Sequence, residues 1–233
     1  MKDKTSIALY NDQNTVDQYY KMQYGLYLKD KAAKNNLTES FYFVIIKLLK
    51  KYLKKDAKML EVGCGLGRLV FESAKIGAEQ SVGIDISKSF IDECDKIGRN
   101  ERNGLISYFV KTSKNNPDQI QFQVADAENL PFERETFDVV VCLNVIDRVA
   151  HPKKVLESIG RVLKKGGVAI IADPYDWSVD FTPVKNQIKN MKDYFRAGKW
   201  QVLSEQQRLP FILFFNSRQE AHYYDHLIVV RKK

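Results

Sequence analysis

The sequence predicts an α/β protein in which helices cover a mostly parallel β-sheet, and three observations support this prediction. Short apolar runs alternate with helical segments along most of the 233 residues, which is typical of parallel strands joined by right-handed crossovers. A glycine-rich turn at residues 63–67 follows the first run, and Asp85 ends the next one. Residues 138–143 are apolar after the first, as expected for a central strand buried on both faces.

The apolar runs place the strands along the chain. Five strand candidates precede residue 174, with helical segments between most of them: Met59–Val62, Gln80–Ile84, Gln121–Val124, Phe137–Leu143 and Val168–Ala172. After them we predict a helix at about Val184–Phe195. Two extended runs follow, Trp200–Ser204 and Asp225–Arg231, which we expect to pair at the sheet edge with one of them reversed.

The sequence pattern of the N-terminal part of the chain predicts two helices. Residues 11–24 are polar and rich in tyrosine, and we expect a short helix that packs as a lid. Apolar residues at helical spacing predict a second helix at about Glu39–Leu53, with Thr38 as its N-cap. We therefore divide the chain into an N-terminal helical segment or lid, 1–55, and an α/β domain, 56–233.

The composition and the net charge of the chain limit the classes of partner that we expect it to bind. No apolar run approaches the roughly 18 residues that a membrane span needs, and no signal-peptide pattern is present, so we expect no membrane contact. The net charge is +8, but the lysines are spread over surface-type positions and do not interleave with aromatic residues, which makes nucleic acid an unlikely partner. Cys64, Cys94 and Cys142 lack paired spacing and indicate free thiols in a reducing cytoplasm.

Residues 60–68 read Leu-Glu-Val-Gly-Cys-Gly-Leu-Gly-Arg and predict a ligand-binding loop. Glycines at a strand-to-helix turn can adopt positive φ and let a ligand approach the backbone, and the amides that open the next helix favour a negative group. Asp85 lies eighteen residues past Gly67, near the spacing of a ribose-binding acid. The alternative is a tight turn with incidental glycines.

The glycine spacing distinguishes among nucleoside ligands. A dinucleotide fingerprint would place its last glycine at Arg68, and no Gly-Lys-Ser/Thr follows to form a P-loop. The order acid-x-Gly-x-Gly-x-Gly resembles the first motif of class I S-adenosylmethionine-dependent methyltransferases. This resemblance implies a Rossmann-like sheet of seven strands in the order 3-2-1-4-5-7-6, with strand 7 antiparallel and helices on both faces.

The resemblance also implies the residues that hold S-adenosylmethionine and the product S-adenosylhomocysteine. Glu61 and the glycine loop would contact the amino acid portion, and Asp85 the ribose hydroxyls. The expected cofactor-binding residues are Tyr24, Glu61, Gly63, Cys64, Gly65, Gly67, Arg68, Asp85, Ile86, Asp126, Ala127, Asn144 and Val145. In this set Ile86 would pack on the adenine, Asp126 and Ala127 would read the adenine edge, and Asn144 and Val145 would line the methyl path. Helix capping by Asp85 or Asp126 is the alternative.

A closer resemblance covers almost the whole chain. It is carried by Val16-x-x-Tyr19 through Tyr24-Gly25, by the run 143–148, by Asp173-Pro174-Tyr175-Asp176-Trp177, by Leu209-Pro210-Phe211 and by the ending 225–231. These segments resemble the C-terminal domain of ovothiol-biosynthesis enzymes, which methylates an imidazole nitrogen of mercaptohistidine. Gln23 departs from the family, which has histidine there. Because that domain is usually fused to an iron-dependent sulfoxide synthase, a separate synthase acting upstream is an expected partner.

The closer resemblance implies that the acceptor is a small zwitterion. Tyr24, Asp147, Arg148, Tyr175 and Trp177 would surround it. Arg148 would pair with its carboxylate, and Tyr175 and Trp177 would stack on the imidazole. Asp147 would accept the ring proton. Asp147, in this role, and Tyr175, through its contact with the imidazole, are the candidate catalytic residues. The alternatives are an ordinary ion pair for Asp147 and Arg148, and loop anchoring for Tyr175 and Trp177.

Other acceptors and roles stay open. Residues 144–147 read Asn-Val-Ile-Asp and lack the prolines of exocyclic-amine methyltransferases of nucleic acids, which argues against base methylation. Another small metabolite or an RNA is the alternative acceptor, and a cofactor-binding partner subunit without turnover is the alternative role. His222 and His226 are four residues apart but near a predicted strand, so we expect no metal site.

Overall fold

The fold is that of a computed structural model, which describes residues 8, 10–25, 37–102, 119–196, 198–216 and 218–233. The N-terminal helices are α1 (Gln13–Tyr24) and α2 (Leu37–Tyr52). The α/β part continues in the order β1 (Lys58–Val62), α3 (Arg68–Ile76), β2 (Gln80–Asp85), α4 (Lys88–Gly98), β3 (Ile120–Val124), β4 (Phe137–Leu143), α5 (Pro152–Val162), β5 (Leu163–Asp173), α6 (Met191–Arg196), β6 (Trp200–Asn216) and β7 (Gln219–Lys232).

The seven strands form one sheet in the order β3-β2-β1-β4-β5-β7-β6. Strands β1 to β5 pair in parallel, whereas β7 is antiparallel to both β5 and β6. The predicted strand order and the antiparallel seventh strand are therefore confirmed. Each of the five apolar runs forms a strand of the parallel part.

The central strands are buried on both faces. In β4, Val139 and Val141 pack with Phe41 and Ile45 of α2 on one face, while Val140 and Cys142 pack with the α5 side chains on the other. Successive side chains of a strand point to opposite faces, so a nearly continuous apolar run supplies both cores. All three cysteines are buried and unbridged.

Two helix predictions are corrected. Helix α2 begins at Leu37, so Thr38 lies within the helix; its assignment as the N-cap is wrong, because a capping residue needs non-helical dihedral angles. The predicted helix 184–195 is a 3₁₀ turn at Val184–Asn186 followed by α6. Gln187 has an extended ψ of 138°, which ends the turn, and the Asn190 side chain accepts a hydrogen bond from the Lys192 amide at 2.9 Å as α6 begins.

The hairpin of β6 and β7 is much longer than the two predicted runs. It extends through residues 205–224, where two register shifts interrupt the pairing and Arg208 has φ 58°. Residues 205–208 are polar and interrupt the apolar pattern, so the sequence did not predict a continuous strand there. Pairing of β5 with β7 ends at Asp173 and His226, so the outer half of the hairpin extends past the carboxyl end of β5.

The N-terminal helices lie against this α/β core. Helix α2 packs on β6 and α3, and α1 on β6; α1 also contributes Val16 and Tyr24 to a cluster with Leu66, Phe71 and Phe90. The domain boundary at residue 55 and the lid role of residues 11–24 stay predictions. Within the described ranges, each helix is too short or too polar to cross a membrane.

Candidate active site

A cavity of about 960 Å³ lies at the carboxyl ends of the parallel strands. The loops that follow β1 to β5 line one part of it, and α1, α2 and the outer hairpin line the rest. Parallel strands bring their carboxyl ends to one edge, where strand order reverses between β1 and β4 and a crevice opens. Of the predicted site residues, those that line the cavity are Glu61, Gly63, Asp85, Ile86, Asp126, Ala127, Asn144, Val145, Asp147 and Arg148.

Gly63 lies where the β1 loop and the β4 loop meet. Its φ is +72°, and a Cβ at this position would lie 2.2 Å from Val145 Cγ2. The amides of Gly63 and Cys64 donate to the Ile84 carbonyl at 2.8 and 2.9 Å, which ties the loop to β2. The loop therefore requires glycine at position 63 for backbone conformation and for space.

Helix α1 covers the middle of the glycine loop. A Cβ at Gly65 would lie 2.7 Å from Gln23 Nε2 and 2.9 Å from Tyr19 Cδ1. Gln23 also donates to the Cys64 carbonyl at 3.2 Å and accepts from the Leu66 amide at 3.1 Å. Protein side chains therefore occupy the space beside Gly65, and ligand contacts of Cys64 and Gly65 stay predictions.

The end of the loop is also held from within the protein. A Cβ at Gly67 would lie 2.6 Å from Phe122. The Arg68 guanidinium donates to the Gln23 carbonyl at 2.9 Å and lies 4.2 Å from the Tyr42 ring centroid. The Tyr24 hydroxyl donates to the Leu66 carbonyl at 2.7 Å. Gly67, Arg68 and Tyr24 do not line the cavity. The contacts of Arg68 and Tyr24 join α1 and α2 to the loop, and the ligand contacts predicted for all three residues stay predictions.

Asp85 both supports the loop and faces the cavity. Its carboxylate accepts from the Gly65 amide at 3.0 Å and from the Ser87 amide at 2.9 Å. Burial raises the pKa of Asp85 to about 6, although these amide hydrogen bonds oppose the rise. Ile86 follows it on the same wall. Asp85 is therefore a buried acid that can accept hydrogen bonds from a ligand.

Three buried oxygen atoms of cavity-lining residues have no hydrogen-bond partner among the described residues: Glu61 Oε2, Asn144 Oδ1 and Asp147 Oδ1. The first two are on side chains at the ends of β1 and β4. Asn144 has φ 55°, and burial raises the pKa of Glu61 well above its usual range. Because buried polar atoms are costly when unpaired, these two acceptors fit a ligand that brings hydrogen-bond donors and positive charge.

The β3 loop supplies the next part of the wall. Asp126 Oδ1 accepts from the Glu128 amide at 2.9 Å and so stabilises the turn after β3. The same residue lines the cavity. The Ala125 amide donates to the Asp85 carbonyl at 2.9 Å, and Ala127 lines the cavity beside Asp126. The geometry is consistent with both the capping alternative and ligand contact.

Asp147 lies in the 3₁₀ turn after β4 and is 1% exposed. Its Oδ2 accepts from the Asp176 amide at 3.0 Å, whereas Oδ1 has no partner among the described residues. The Asp147 amide donates to Asp173 at 3.2 Å. Burial raises the pKa of Asp147 to about 6, and the positive charge of Arg148 opposes the rise. This acid lines the cavity, as expected of an acceptor-binding residue.

Arg148 is held by the β5 loop. Its guanidinium donates to Asp176 Oδ2 at 2.7 Å and to the Asp176 carbonyl at 2.6 Å, and it lies 3.7 Å from Asp147 Oδ2. The ion-pair alternative therefore describes Arg148 better than the predicted contact with a substrate carboxylate, because an internal carboxylate already takes that position.

Tyr175 and Trp177 are not among the residues that line the cavity; their acceptor contacts and the catalytic role of Tyr175 stay predictions. Their rings stack with centroids 6.1 Å apart. The Tyr175 hydroxyl lies 2.6 Å from His226 Nδ1 and accepts from the Met191 amide at 3.0 Å. Pro174 and Asp176, the neighbours of Tyr175, line the cavity instead. The loop-anchoring alternative is the one the geometry supports.

The cavity is also lined by aromatic residues that the sequence did not reveal as a site. They are Tyr10, Phe41, Phe181, Phe211 and Tyr223. The alternation of Phe211, Leu213 and Phe215, all three on the cavity wall, was a signal of one strand face. Among the described residues, no three potential metal ligands are grouped.

The comparisons with known proteins agree with this arrangement. A family model described as a methyltransferase domain matches residues 53–225. The chain is 31% identical to a ubiquinone/menaquinone biosynthesis C-methyltransferase of Idiomarina loihiensis over 61% of this chain and 55% of that one. It is 27% identical to a ribosomal protein L11 methyltransferase of Thermotoga petrophila over 73% of this chain and 53% of that one. It thus spans about half the length of these curated relatives.

Among solved structures, a SAM-dependent methyltransferase from Methanosarcina mazei matches with a TM-score of 0.58 and 19% identity. The match covers 79% of this chain and 96% of the other. At this identity the likeness concerns the fold, and it agrees with the strand order of the sheet.

Proposed function

The chain belongs to the methyltransferase domain family and is an S-adenosylmethionine-dependent methyltransferase, and we propose that it methylates a nitrogen atom of a small molecule. The acceptor that the sequence resemblance favours is an imidazole nitrogen of mercaptohistidine. The family and fold imply S-adenosylmethionine as the cofactor.

One observation carries the assignment of the cofactor to this cavity. Glu61 Oε2 and Asn144 Oδ1 are buried without partners on the wall that also holds Asp85. S-adenosylmethionine supplies an electrophilic methyl group on a positively charged sulfur and also carries an ammonium and ribose hydroxyls. Acceptor atoms suit those groups, so the residues present fit this cofactor.

Different loops of the cavity wall would bind different parts of the cofactor. Asp85 would accept hydrogen bonds from the ribose hydroxyls, and Ile86 would pack on the adenine. Asp126 and Ala127 would read the adenine edge. Glu61 and Asn144 would accept from the ammonium, and Val145 would line the methyl path. Rate enhancement by alignment of reacting groups reaches about 7–11 kcal/mol, so rigid placement of both ligands by these loops is the main requirement.

The shape of the cavity favours a small acceptor. Its volume of about 960 Å³ is at the upper end of the range for small-molecule sites, which leaves room for a cofactor and a metabolite. Helices α1 and α2 and the outer hairpin contribute most of the lining residues that do not belong to the strand-end loops. The named relatives include quinone-pathway and ribosomal-protein enzymes, so another metabolite, a macromolecule, or a partner subunit without turnover are the competing possibilities.

Binding and transfer are tested separately. Calorimetry with S-adenosylmethionine and S-adenosylhomocysteine should show one site per chain. Incubation with methyl-labelled cofactor should then label mercaptohistidine in preference to histidine or total RNA. Label in RNA alone would refute the small-molecule acceptor, and binding without any transfer would favour the partner subunit. The cytoplasmic location and the separate upstream sulfoxide synthase stay predictions.

A further inference from the structure

We propose that the acceptor is recognised through a cationic group, a protonated amine or imidazolium, that binds Asp147, and not through a carboxylate that binds Arg148. This inference rests on the proposed function and specifies the chemical class of its acceptor. It follows from the charges on the cavity wall, from the partners of Arg148 and from the unpaired oxygen of Asp147.

The wall of the cavity is acidic although the chain has a net charge of +8. Apart from Glu61, Asp85 and Asp126, the acids that line it are Asp12, Glu128, Asp147, Asp176 and Asp180. In the described lining, the cationic residues are Arg148 and, when protonated, His151. His151 Nδ1 lies 3.0 Å from Glu128 Oε2. Such a wall attracts cationic ligands and repels anionic ones.

Arg148 is poorly placed to bind a further carboxylate. Two of its hydrogen bonds go to Asp176, and Asp147 lies within 3.7 Å. Its guanidinium lies 5.5 Å from the Phe181 ring centroid. A carboxylate on the acceptor would have to displace Asp176 or lie beside both acids, and like charges at such distances are unfavourable.

Asp147 presents the opposite situation. Its Oδ1 is buried, faces no donor within the described part of the chain and belongs to a cavity-lining residue that is 1% exposed. Asp225 is also fully buried, and both of its oxygens lack partners among the described residues; burial raises the pKa of its carboxyl well above the usual range. A cation beside Asp147 Oδ1 would give that atom a hydrogen bond and offset the cost of burying an unpaired carboxylate oxygen.

Aromatic rings complete a site for an organic cation. Tyr10 and Tyr223 line the cavity, and both hydroxyls interact electrostatically with Asp147 and Arg148. Ring faces attract ammonium and imidazolium groups, so rings beside a buried carboxylate suit a cationic metabolite. The same surroundings disfavour a phosphate-bearing acceptor such as a nucleotide or RNA.

Two imidazole probes that differ in charge test the inference. Histamine carries an ammonium and no carboxylate, whereas imidazole-4-propionate carries a carboxylate and no ammonium. Each is titrated by calorimetry at pH 7.5 into the wild-type protein saturated with S-adenosylhomocysteine. We expect histamine to bind at least tenfold more tightly. Equal or tighter binding of imidazole-4-propionate, or no binding of either probe, would overturn the inference.

A variant then assigns the preference to one residue. Asp147→Asn should raise the Kd of histamine at least tenfold and leave the Kd of S-adenosylhomocysteine unchanged, which also reports that the variant is folded. The control is Asp138→Asn, at the amino end of β4 where Asp138 accepts from the Lys58 amide and Lys164, and it should alter neither Kd. An unchanged histamine Kd in Asp147→Asn would overturn the assignment. Failure of S-adenosylhomocysteine to bind the wild type would instead refute the proposed function.

Discussion

Gln23 and Leu66 join helix α1 to the glycine loop through a buried hydrogen bond, in which the Leu66 amide donates to Gln23 Oε1 at 3.1 Å. The other end of the same side chain donates to the Cys64 carbonyl at 3.2 Å. Gln23 is 4% exposed. The residue at which this chain departs from the ovothiol-type motif therefore supports the loop from outside the α/β core.

Removal of this contact should destabilise the protein. In Gln23→Ala the buried Leu66 amide loses its partner, and an unsatisfied buried group costs about 1–3 kcal/mol. Urea denaturation should show a loss of that size in the free energy of unfolding. The control is Gln13→Ala, where an exposed side chain bonds Asp17, and its effect should stay within about 0.5 kcal/mol. Equal effects of the two substitutions would contradict the role of Gln23.

Substitutions at Gly63 and Gly166 distinguish the stability cost of backbone strain from that of a steric clash. Both have positive φ, +72° and +76°, but a Cβ at Gly63 meets Val145 at 2.2 Å whereas one at Gly166 meets nothing within 4 Å. Gly166→Ala should cost about 1–2 kcal/mol of stability for the left-handed conformation alone. Gly63→Ala should cost clearly more and weaken S-adenosylhomocysteine binding, as measured by thermal unfolding and calorimetry. Similar losses for both would show that the loop can move away from Val145.

Asp85 should dominate cofactor affinity. Asp85→Asn keeps the size of the side chain but removes its charge, and hydrogen bonds to charged groups contribute about 1.5–3 kcal/mol. We expect the Kd of S-adenosylmethionine to rise more than tenfold, and Tm to fall as well, because Asn can accept from only one of the two amides that donate to Asp85. Asp138→Asn, on the same sheet but away from the cavity, should leave the Kd as in wild type. A Kd that does not change in Asp85→Asn would refute the ribose assignment.

Cofactor affinity should also depend on pH. The pKa of Asp85 is about 6, and only the ionised carboxylate can accept hydrogen bonds at both oxygens. As pH falls through 6 the proton competes with the ligand, so the Kd of S-adenosylhomocysteine should rise by up to about tenfold per pH unit. Titrations from pH 7.5 to 5 should show a shallower slope in Asp85→Asn, where Glu61 is the remaining acid of the proposed cofactor contacts whose pKa is raised by burial. Affinity that increases toward pH 5 would contradict this sign.

Tyr175 should matter for stability and little for ligands. Tyr175→Phe removes the hydroxyl that contacts His226 and the Met191 amide, which should lower the free energy of unfolding by about 1–3 kcal/mol. The Kd values of S-adenosylhomocysteine and of histamine should not change, because Tyr175 lies outside the cavity. A selective loss of histamine binding at unchanged stability would restore Tyr175 to the acceptor site.

The sequence carried enough information for the sheet and for much of the cavity wall, and the resemblance to class I methyltransferases implied the strand order. Apolar runs, the glycine loop and the acids Glu61, Asp85 and Asp126 depend on local pattern and on the meeting of strand ends, which parallel topology guarantees. Gly63 and Asn144 were found for the same reason. These residues lie within a few positions of a strand end, so their location needs no knowledge of distant contacts.

Only the tertiary structure decided which side chains after β5 reach the cavity and what covers the glycine loop. Asp176 lines the cavity and Tyr175 does not, because Tyr175 has a positive φ of 57° and its hydroxyl contacts His226. The contact of Gln23 with Leu66 joins residues 43 positions apart. Phe211 and Tyr223 reach the cavity because the hairpin extends past β5. Contacts of this kind depend on packing between distant segments, which local periodicity does not encode.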